Sequence, residues 1–425
     1  MTADQDAPGG RFVVVGIGAD GWEGLGRIAR DALAGASVIY GSARQLGLLP
    51  AGLIFARTVA WSSPMSRHLA ELLDDDPLAD IHILASGDPM FHGVGASIVR
   101  RVGAERVRVI PTVSSASLAC ARLGWDLSDV EILTAVTRDA DEIIGHLTDG
   151  RDLLVLSRDE TTPATVAEIL RDNDFGWSAI TVLEQLGGPA ERLVHGVART
   201  WAEPPGERLN IVAVSCVGPA RSTAPGRSDT DYANDGQLTK QPIRALTVSA
   251  LAPAHRELLW DIGSGSGSVA IEWLRATPTG YAIAFESDSV RAATLLDNAR
   301  RHGIAGRLTI RGAAPDACFD APVPDTVFIG GGMTAELLEA VWSALPAGAR
   351  LVANAVTLEN QQLVAEWYVR EGGSLRRYGV ETAVPLGTMT TWRPSLPIVQ
   401  WLVLKSAVIN SVAVNGGVEK RGGQR

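Results

Sequence analysis

LLWDIGSGSGSVAIEW, residues 258–273, runs from an apolar stretch into a turn with three glycines and back into an apolar pattern of helical period. A strand that breaks into such a turn offers bare backbone to a ligand, because glycine takes positive φ freely and has no side chain to fill the space. Gly263, Gly265 and Gly267 make the turn tight, Ser264 and Ser266 lie between them, and Asp261 is placed to orient the loop through its carboxylate. The following run, YAIAFES at 281–287, ends near Glu286. A carboxylate about 20 residues beyond a glycine turn can accept both hydroxyls of a ribose. Dinucleotide loops prefer G-x-G-x-x-G, which seats pyrophosphate on the helix N-terminus. Here the spacing is G-x-G-x-G with a preceding aspartate, which favours S-adenosylmethionine, a ligand with no phosphate, over NAD or a merely structural turn.

Outward from this loop the chain alternates. Helical patterns at 268–276, 289–302, 334–344 and 358–371 separate strand-like runs at 281–287, 308–310, 326–331, 349–355, 374–381 and 398–404. Seven strands closing on an antiparallel pair suit a Rossmann-like class I methyltransferase sheet. Upstream lies a second glycine turn, VVVGIGADG at 13–21. It opens another α/β alternation, with strands at 12–16, 81–85, 107–110, 153–157, 179–183 and 210–216 and helices at 24–34, 94–102, 114–122 and 162–171. Between the two, VGPARSTAPGRSDTDYANDGQ at 217–237 has no apolar period and reads as a linker. The expected organisation is a domain over 10–216, a linker over 217–237, a domain over 238–405 and a fraying polar tail over 406–425.

With 38 Lys and Arg against 48 Asp and Glu, the net charge is −10. That balance opposes nucleic acid as a partner, since counterion release rewards a basic face, and favours small-molecule chemistry. The start, MTADQDAPGG, has no basic or apolar leader character, and no run of 18 apolar residues occurs, so a cytoplasmic protein without a membrane span is expected. Cys120, Cys216 and Cys318 lie far apart and the seven histidines do not join them at ligand spacing, which argues against a metal site or a disulfide framework. His92 and Glu184 stand beside turns, where a hydrogen-bonded structural role competes with acid–base work. No general acid, general base or nucleophile emerges, so the catalytic residues stay unassigned.

The motifs around the first loop add a resemblance. LTKQPIRALTVSAL at 238–251, DIGSGSGSVAIEW at 261–273, RGAAPDA at 311–317, FIGGG at 328–332 and NAVTLEN at 354–360 together resemble the C-terminal module of the cobalamin-pathway methyltransferases that act on precorrin-6Y. By position, Thr239, Gly263 through Gly267, Glu286 and Ala314 would line the S-adenosylmethionine pocket. The family's acidic residue in the G-D-A-P run is replaced here by Ala313, with Asp316 as a substitute candidate. In the N-terminal half, VVVGIGADG, GSARQL at 41–46, LASGDPMFHGVG at 84–95, IPTVSSASLACARLGW at 110–125 and VLEQLGGPAERL at 182–193 resemble the tetrapyrrole methylase family, a two-lobed fold. That resemblance implies a second S-adenosylmethionine cleft faced by Gly16, Gly87, Asp88, Met90, Thr112 and Ser115. Asp88 has an alternative reading as the cap of a helix starting near Gly93. The family's S-L-H-G-R segment reads TAVTR at 134–138, so only Arg138 remains of it.

The combined resemblance implies two C-methylations of precorrin-6Y, at carbon 5 by the N-terminal module and carbon 15 by the C-terminal one. It also implies loss of carbon dioxide from the carbon 12 acetate, giving precorrin-8X. The macrocycle carboxylates need cations, for which Lys240, Arg244, Arg377 and Arg393 are candidates near motif edges. A tetrapyrrole partner and a homo-oligomer are expected. Two rivals stand beside this reading: a class I methyltransferase acting on RNA or protein, and an N-terminal module that only delivers tetrapyrrole.

Overall fold

A computed structural model describes residues 11–74 and 79–406. Residue 10 and the tail from 407 onward, which carried the first boundary and the expected fraying, lie outside the described residues. The chain divides into two compact units between Arg221 and Ser222.

In the first unit, FVVVGI forms β1 (Phe12–Ile17), buried at every residue, as an interior strand of a parallel sheet must be. With β2 (Val38–Gly41), β3 (Arg57–Ala60), β4 (Ile81–Ser86) and β5 (Val107–Ile110) it makes an all-parallel sheet of order β3-β2-β4-β1-β5. A second sheet holds β6 (Glu131–Thr134), β7 (Asp152–Leu156), β8 (Ala179–Glu184), β9 (Arg192–Val197) and β10 (Asn210–Ser215) in the order β6-β7-β10-β8-β9. The helix Ser115–Leu123 follows β5 but buries Ala116, Ala119 and Cys120 against Leu154, Leu183, Ile211 and Ala213 of the second sheet. It therefore ties two lobes together, as the expected two-lobed fold requires. The helix expected over 24–34 is broken: Gly21–Gly24 and Arg27–Ala34 are separate, with Leu25 extended between them.

The second unit is a seven-stranded sheet. Its members are β11 (Leu258–Ile262), β12 (Tyr281–Phe285), β13 (Leu308–Arg311), β14 (Thr326–Ile329), β15 (Arg350–Ala355) and β16 (Ser374–Tyr378). Next come a separate ribbon, β17 (Glu381–Leu386) and β18 (Met389–Pro394), and finally β19 (Ile398–Leu404), which returns to the sheet. The order is β13-β12-β11-β14-β15-β19-β16, with β19 antiparallel to both neighbours. The order reverses between β11 and β14, and in open α/β sheets ligands bind outside the strand carboxyl ends at such a switch point. Trp260, Trp367 and Trp401 are buried in the core below it.

Residues 217–237 are not a free linker. Val217 N–H donates to Ser178 Oγ (2.9 Å) and Arg221 N–H to Thr148 Oγ1 (2.9 Å), which fastens the start to the first unit. Further on, Tyr232 is buried in the second unit's core, and Ala233 exchanges two 2.9 Å hydrogen bonds with the Asn298 side chain. A composition count misses this, because one buried ring and a set of satisfied backbone groups dock the segment without any apolar period.

Candidate functional site

The glycine loop follows β11 directly. Gly263, Gly265 and Gly267 take φ values of +69°, +56° and +76°, a region that other residues enter at a cost. A Cβ on Gly263 would fall 2.6 Å from the Gly331 carbonyl oxygen, so the loops after β11 and β14 touch backbone to backbone. At Gly265 a Cβ would meet only the Gln237 carbonyl oxygen, at 3.9 Å. That open space is a cavity of about 870 Å³, within the usual range for small-molecule sites.

Both carboxylates singled out in the sequence stand at this loop. Asp261 Oδ2 accepts from Ala270 N–H (3.2 Å) in the first turn of helix Ser268–Ala276, so this side chain does orient the loop. It is buried, its Oδ1 has no hydrogen-bond partner, and burial pushes its pKa up to about 7, with Glu286 adding to the rise. Glu286 Oε2 accepts from Gly265 N–H (2.8 Å) and Oε1 from Asp288 N–H (2.9 Å). Each oxygen keeps a lone pair, so a ribose diol remains within its capacity.

Of the residues expected here, Thr239, Lys240, Gly263, Ser264, Gly265, Ser266, Glu286 and Ala314 line the cavity, as does Ala313. Gly267 does not; a Cβ there would strike Leu295 Cγ at 2.6 Å, so it serves the packing of the helix Ser289–Arg301 against the loop. Asp316 is also absent from the lining. Arg244 is a correction. Its side chain is fully buried, with Nε on Glu272 Oε1 (2.5 Å) and Nη1 on Asp229 Oδ1 (3.0 Å) and the Thr239 carbonyl. Glu272 also accepts from Gly226 N–H, Arg227 N–H and Tyr232 OH. The arginine is thus the pin that holds the 226–241 segment down and has no route to a substrate carboxylate. Arg377 and Arg393 are exposed and outside the lining, although Tyr378 beside the first and Thr382 across the ribbon from the second do line it.

In the first unit three strand ends converge. A Cβ on Gly16 would lie 2.5 Å from Gly87 O, 2.9 Å from Thr112 Cγ2 and 3.0 Å from Pro89 Cδ, so β1, β4 and β5 meet there. Gly87, at φ +60°, faces Ser115 N at 3.8 Å from where a Cβ would be. Asp88 Oδ1 accepts from Met90 N–H (2.8 Å) and does not cap the helix at Gly93, whose N-cap has no side-chain bond. Met90 is 46% exposed and open to a ligand. The opposite lobe closes on this edge: a Cβ on Gly188 would sit 2.8 Å from Ala19 Cβ, and Arg122 pairs with Glu191 (2.5 Å). Thus VLEQLGGPAERL and VVVGIGADG, far apart in sequence, come together here.

Residues 11–202 match the model of the Tetrapyrrole (Corrin/Porphyrin) Methylases, and residues 230–405 that of the Precorrin methyltransferase domain. A curated relative, the precorrin-6Y C(5,15)-methyltransferase [decarboxylating] of Mycobacterium tuberculosis (strain CDC 1551 / Oshkosh), is 46% identical over 93% of this chain and 100% of its own. The chain belongs to the precorrin-6Y C5,15-methyltransferase (decarboxylating) family. The Sinorhizobium sp relative of that name is 42% identical over 92% of this chain and 95% of its own. The solved C-terminal domain of the Rhodobacter capsulatus precorrin-6Y C5,15-methyltransferase is 45% identical, covering 44% of this chain and 100% of that one, with a TM-score of 0.42. Methyltransferases of this family use S-adenosylmethionine. Among the described residues no helix is long and apolar enough to cross a membrane, and no cluster of metal-ligating side chains occurs.

For this family member the remaining candidates resolve as follows. Glu184 is buried and held by Arg192 Nε (2.7 Å) and Glu207 N–H (3.1 Å), a structural pairing. His92 sits at φ +51° with its ring edge-on to Phe91. Burial, and secondarily Arg138, lower its pKa. Arg138 of the altered TAVTR segment thus lies within electrostatic reach of His92, while its guanidinium pairs with Glu142 (3.1 Å). Sequence reasoning missed Asn354, Arg291 and Gly330 through Gly332 as cavity lining. The quoted FIGGG and NAVTLEN runs contained the signal for two of these.

Proposed function

We propose that this chain methylates precorrin-6Y at carbons 5 and 15 and decarboxylates the carbon 12 acetate, giving precorrin-8X. The observation that carries the reading is the relation at 46% identity over 93% of the chain, which spans both units. Each unit holds its own S-adenosylmethionine. In the first unit Gly16, Gly87, Asp88, Met90, Thr112 and Ser115 face it, and this unit serves carbon 5. In the second, Thr239, the Gly263–Ser266 loop, Glu286 and Ala314 hold it, and this unit serves carbon 15 and the decarboxylation. The domain limits that go with this are 11–221 and 222–405. The acidic balance of −10 supports a small-molecule tetrapyrrole over nucleic acid.

S-adenosylmethionine supplies the methyl group as an electrophilic sulfonium. The chain's part is placement. Glu286 and the Gly265 backbone fix the nucleoside end, and the loop glycines leave room for close approach of the macrocycle carbon. Holding two reactants in line can contribute about 7–11 kcal/mol without a general acid or base. Lys240, at the cavity wall, is the cation best placed for a macrocycle carboxylate.

Incubation with labelled S-adenosylmethionine and precorrin-6Y, followed by mass analysis, tests this. Two methyls gained and one carbon dioxide lost are expected. A single methyl, with decarboxylation intact, would make the N-terminal unit a tetrapyrrole carrier.

A further inference from the structure

Asn354, near the end of β15, is buried yet lines the cavity. Two other buried side chains hold its amide. Thr247 Oγ–H donates to Ile243 O (2.8 Å), so the Thr247 oxygen can only accept, from Asn354 Nδ2 (2.9 Å) and Gln400 Nε2 (3.3 Å). Gln400 Nε2 also reaches Asn354 Oδ1 (3.0 Å). This network fixes which end of the Asn354 amide is nitrogen, and it uses one of the two hydrogens there. The other has no protein acceptor among the described residues, on a side chain that lines the cavity.

The cavity is chemically divided. Its charged lining residues are Asp229, Lys240, Glu286 and Arg291, on the 226–241 segment and beyond β12. The lining contributed around β15, β16 and β19, including Asn354, Val356, Tyr378, Thr382 and Ser395, has no charged side chain. From β12 to β15 there are three strand steps, about 14 Å. The glycine loop and Glu286 thus sit at one end, and a rigid neutral amide at the other.

We propose that Asn354 binds the departing acetate carboxylate of the substrate in this uncharged half of the cavity; the proposal rests on the function assigned above. In the decarboxylation, the bond from the methylene carbon to the carboxylate breaks. Its electron pair moves into the conjugated ring toward a protonated imine nitrogen, and carbon dioxide leaves. A proton then returns to the methylene carbon, so acetate plus one proton becomes methyl plus carbon dioxide. A cation against the carboxylate would stabilise the charge that must disperse; a neutral N–H orients the group at much smaller cost to that dispersal.

The test is the ratio of the two C-terminal reactions in the full chain. Asn354→Leu, which keeps the branched shape without the hydrogen-bonding atoms, is expected to bind S-adenosylmethionine and to lose far more of the decarboxylation than of the carbon 15 methylation. Decarboxylation should fall about ten- to a hundredfold relative to methyl transfer, the range for deleting a hydrogen bond to a charged group, and product that retains the carboxylate should accumulate. If Asn354→Leu does not fold, Asn354→Asp carries the test: it keeps an acceptor for Gln400 and repels the acetate, so the same product should accumulate. An unchanged ratio, or equal loss of both reactions in a folded variant that still binds S-adenosylmethionine, overturns the proposal. Failure of the unaltered protein to methylate precorrin-6Y at all would instead overturn the functional reading.

Discussion

A side chain at Gly265 has only the cavity to enter, since its Cβ would meet just one distant carbonyl oxygen, and the φ of +56° adds strain. Gly265→Arg should therefore lower carbon 15 methylation more than about a hundredfold and abolish decarboxylation while carbon 5 methylation continues. Asp88→Arg, at the N-terminal cleft, should give the reverse pattern on substrate already prepared for the C-terminal step. Product masses decide it: carboxylate retention in Asp88→Arg with carbon 15 methylation intact would reverse the assignment of roles. Asp261 brings a pH signature. Its folded pKa of about 7 stands above its ordinary 3.8, so its protonated form stabilises the fold below that lower value and the benefit is lost as pH rises through 7. His302 pulls the other way, because burial lowers it to about 4 and its contribution disappears as pH falls from 6.5. Melting of Asp261→Asn against the unaltered protein isolates the first effect. The unaltered protein should lose ground from about pH 4 to about pH 7 and no further; a difference independent of pH would refute it. Both glycine turns and Glu286 were legible as residues because their chemistry is local. Arg244 was misread because its partners Glu272 and Asp229 are distant in sequence, and proximity to a motif cannot distinguish a buried pin from a substrate ligand.

The helix Gln241–Leu251 and the segment before it show how an element acquires its place. Pro242 starts the helix, Lys240 is its N-cap, and Arg244 on its first turn is locked to Glu272 with Tyr232 stacked 4.7 Å below the guanidinium. Removing one member of a buried ion pair leaves the other charge uncompensated, at about 3–5 kcal/mol. Arg244→Met should therefore cost the second unit stability of that order by chemical denaturation. Lys240→Ala, whose charge lies 3.9 Å from Asp229 at the surface, should fall within about 1 kcal/mol of the unaltered protein. Equal effects would mean that the pin does not bear on folding. Strands with continuous apolar runs, such as β1, β11 and β15, were readable for the reason that they are buried on both faces. β2, β3 and β6 have four residues each, and the β17–β18 ribbon is exposed along nearly its whole length. A short strand with few fully buried residues, or a ribbon with two wet faces, leaves no periodic signal, and the pairing is decided by neighbours elsewhere in the chain.

At the scale of the molecule, the two units are separated in sequence at Arg221, seven residues before the point that composition alone would choose near Ser228. Co-expressing 1–221 with 222–425 should give two soluble fragments with separate melting transitions. A cut after Ser228 should leave the C-terminal fragment less stable, because Gly226 and Arg227 no longer donate to Glu272. Indistinguishable fragments from the two cuts would place the boundary elsewhere. The same segment has a consequence during synthesis. Residues 237–241 form a wall of the cavity, and the side chain that secures them, Glu272, follows Arg244 by 28 residues. A ribosome adding roughly 5–20 residues per second reaches that glutamate on the order of seconds after the arginine. Until Glu272 joins the fold, Arg244 has no buried carboxylate to pair with and the Tyr232 hydroxyl no acceptor. The wall of the second pocket is made first and the residue that fastens it last, so a released chain truncated before Glu272 leaves this stretch open to proteases, whereas the full chain folds it away.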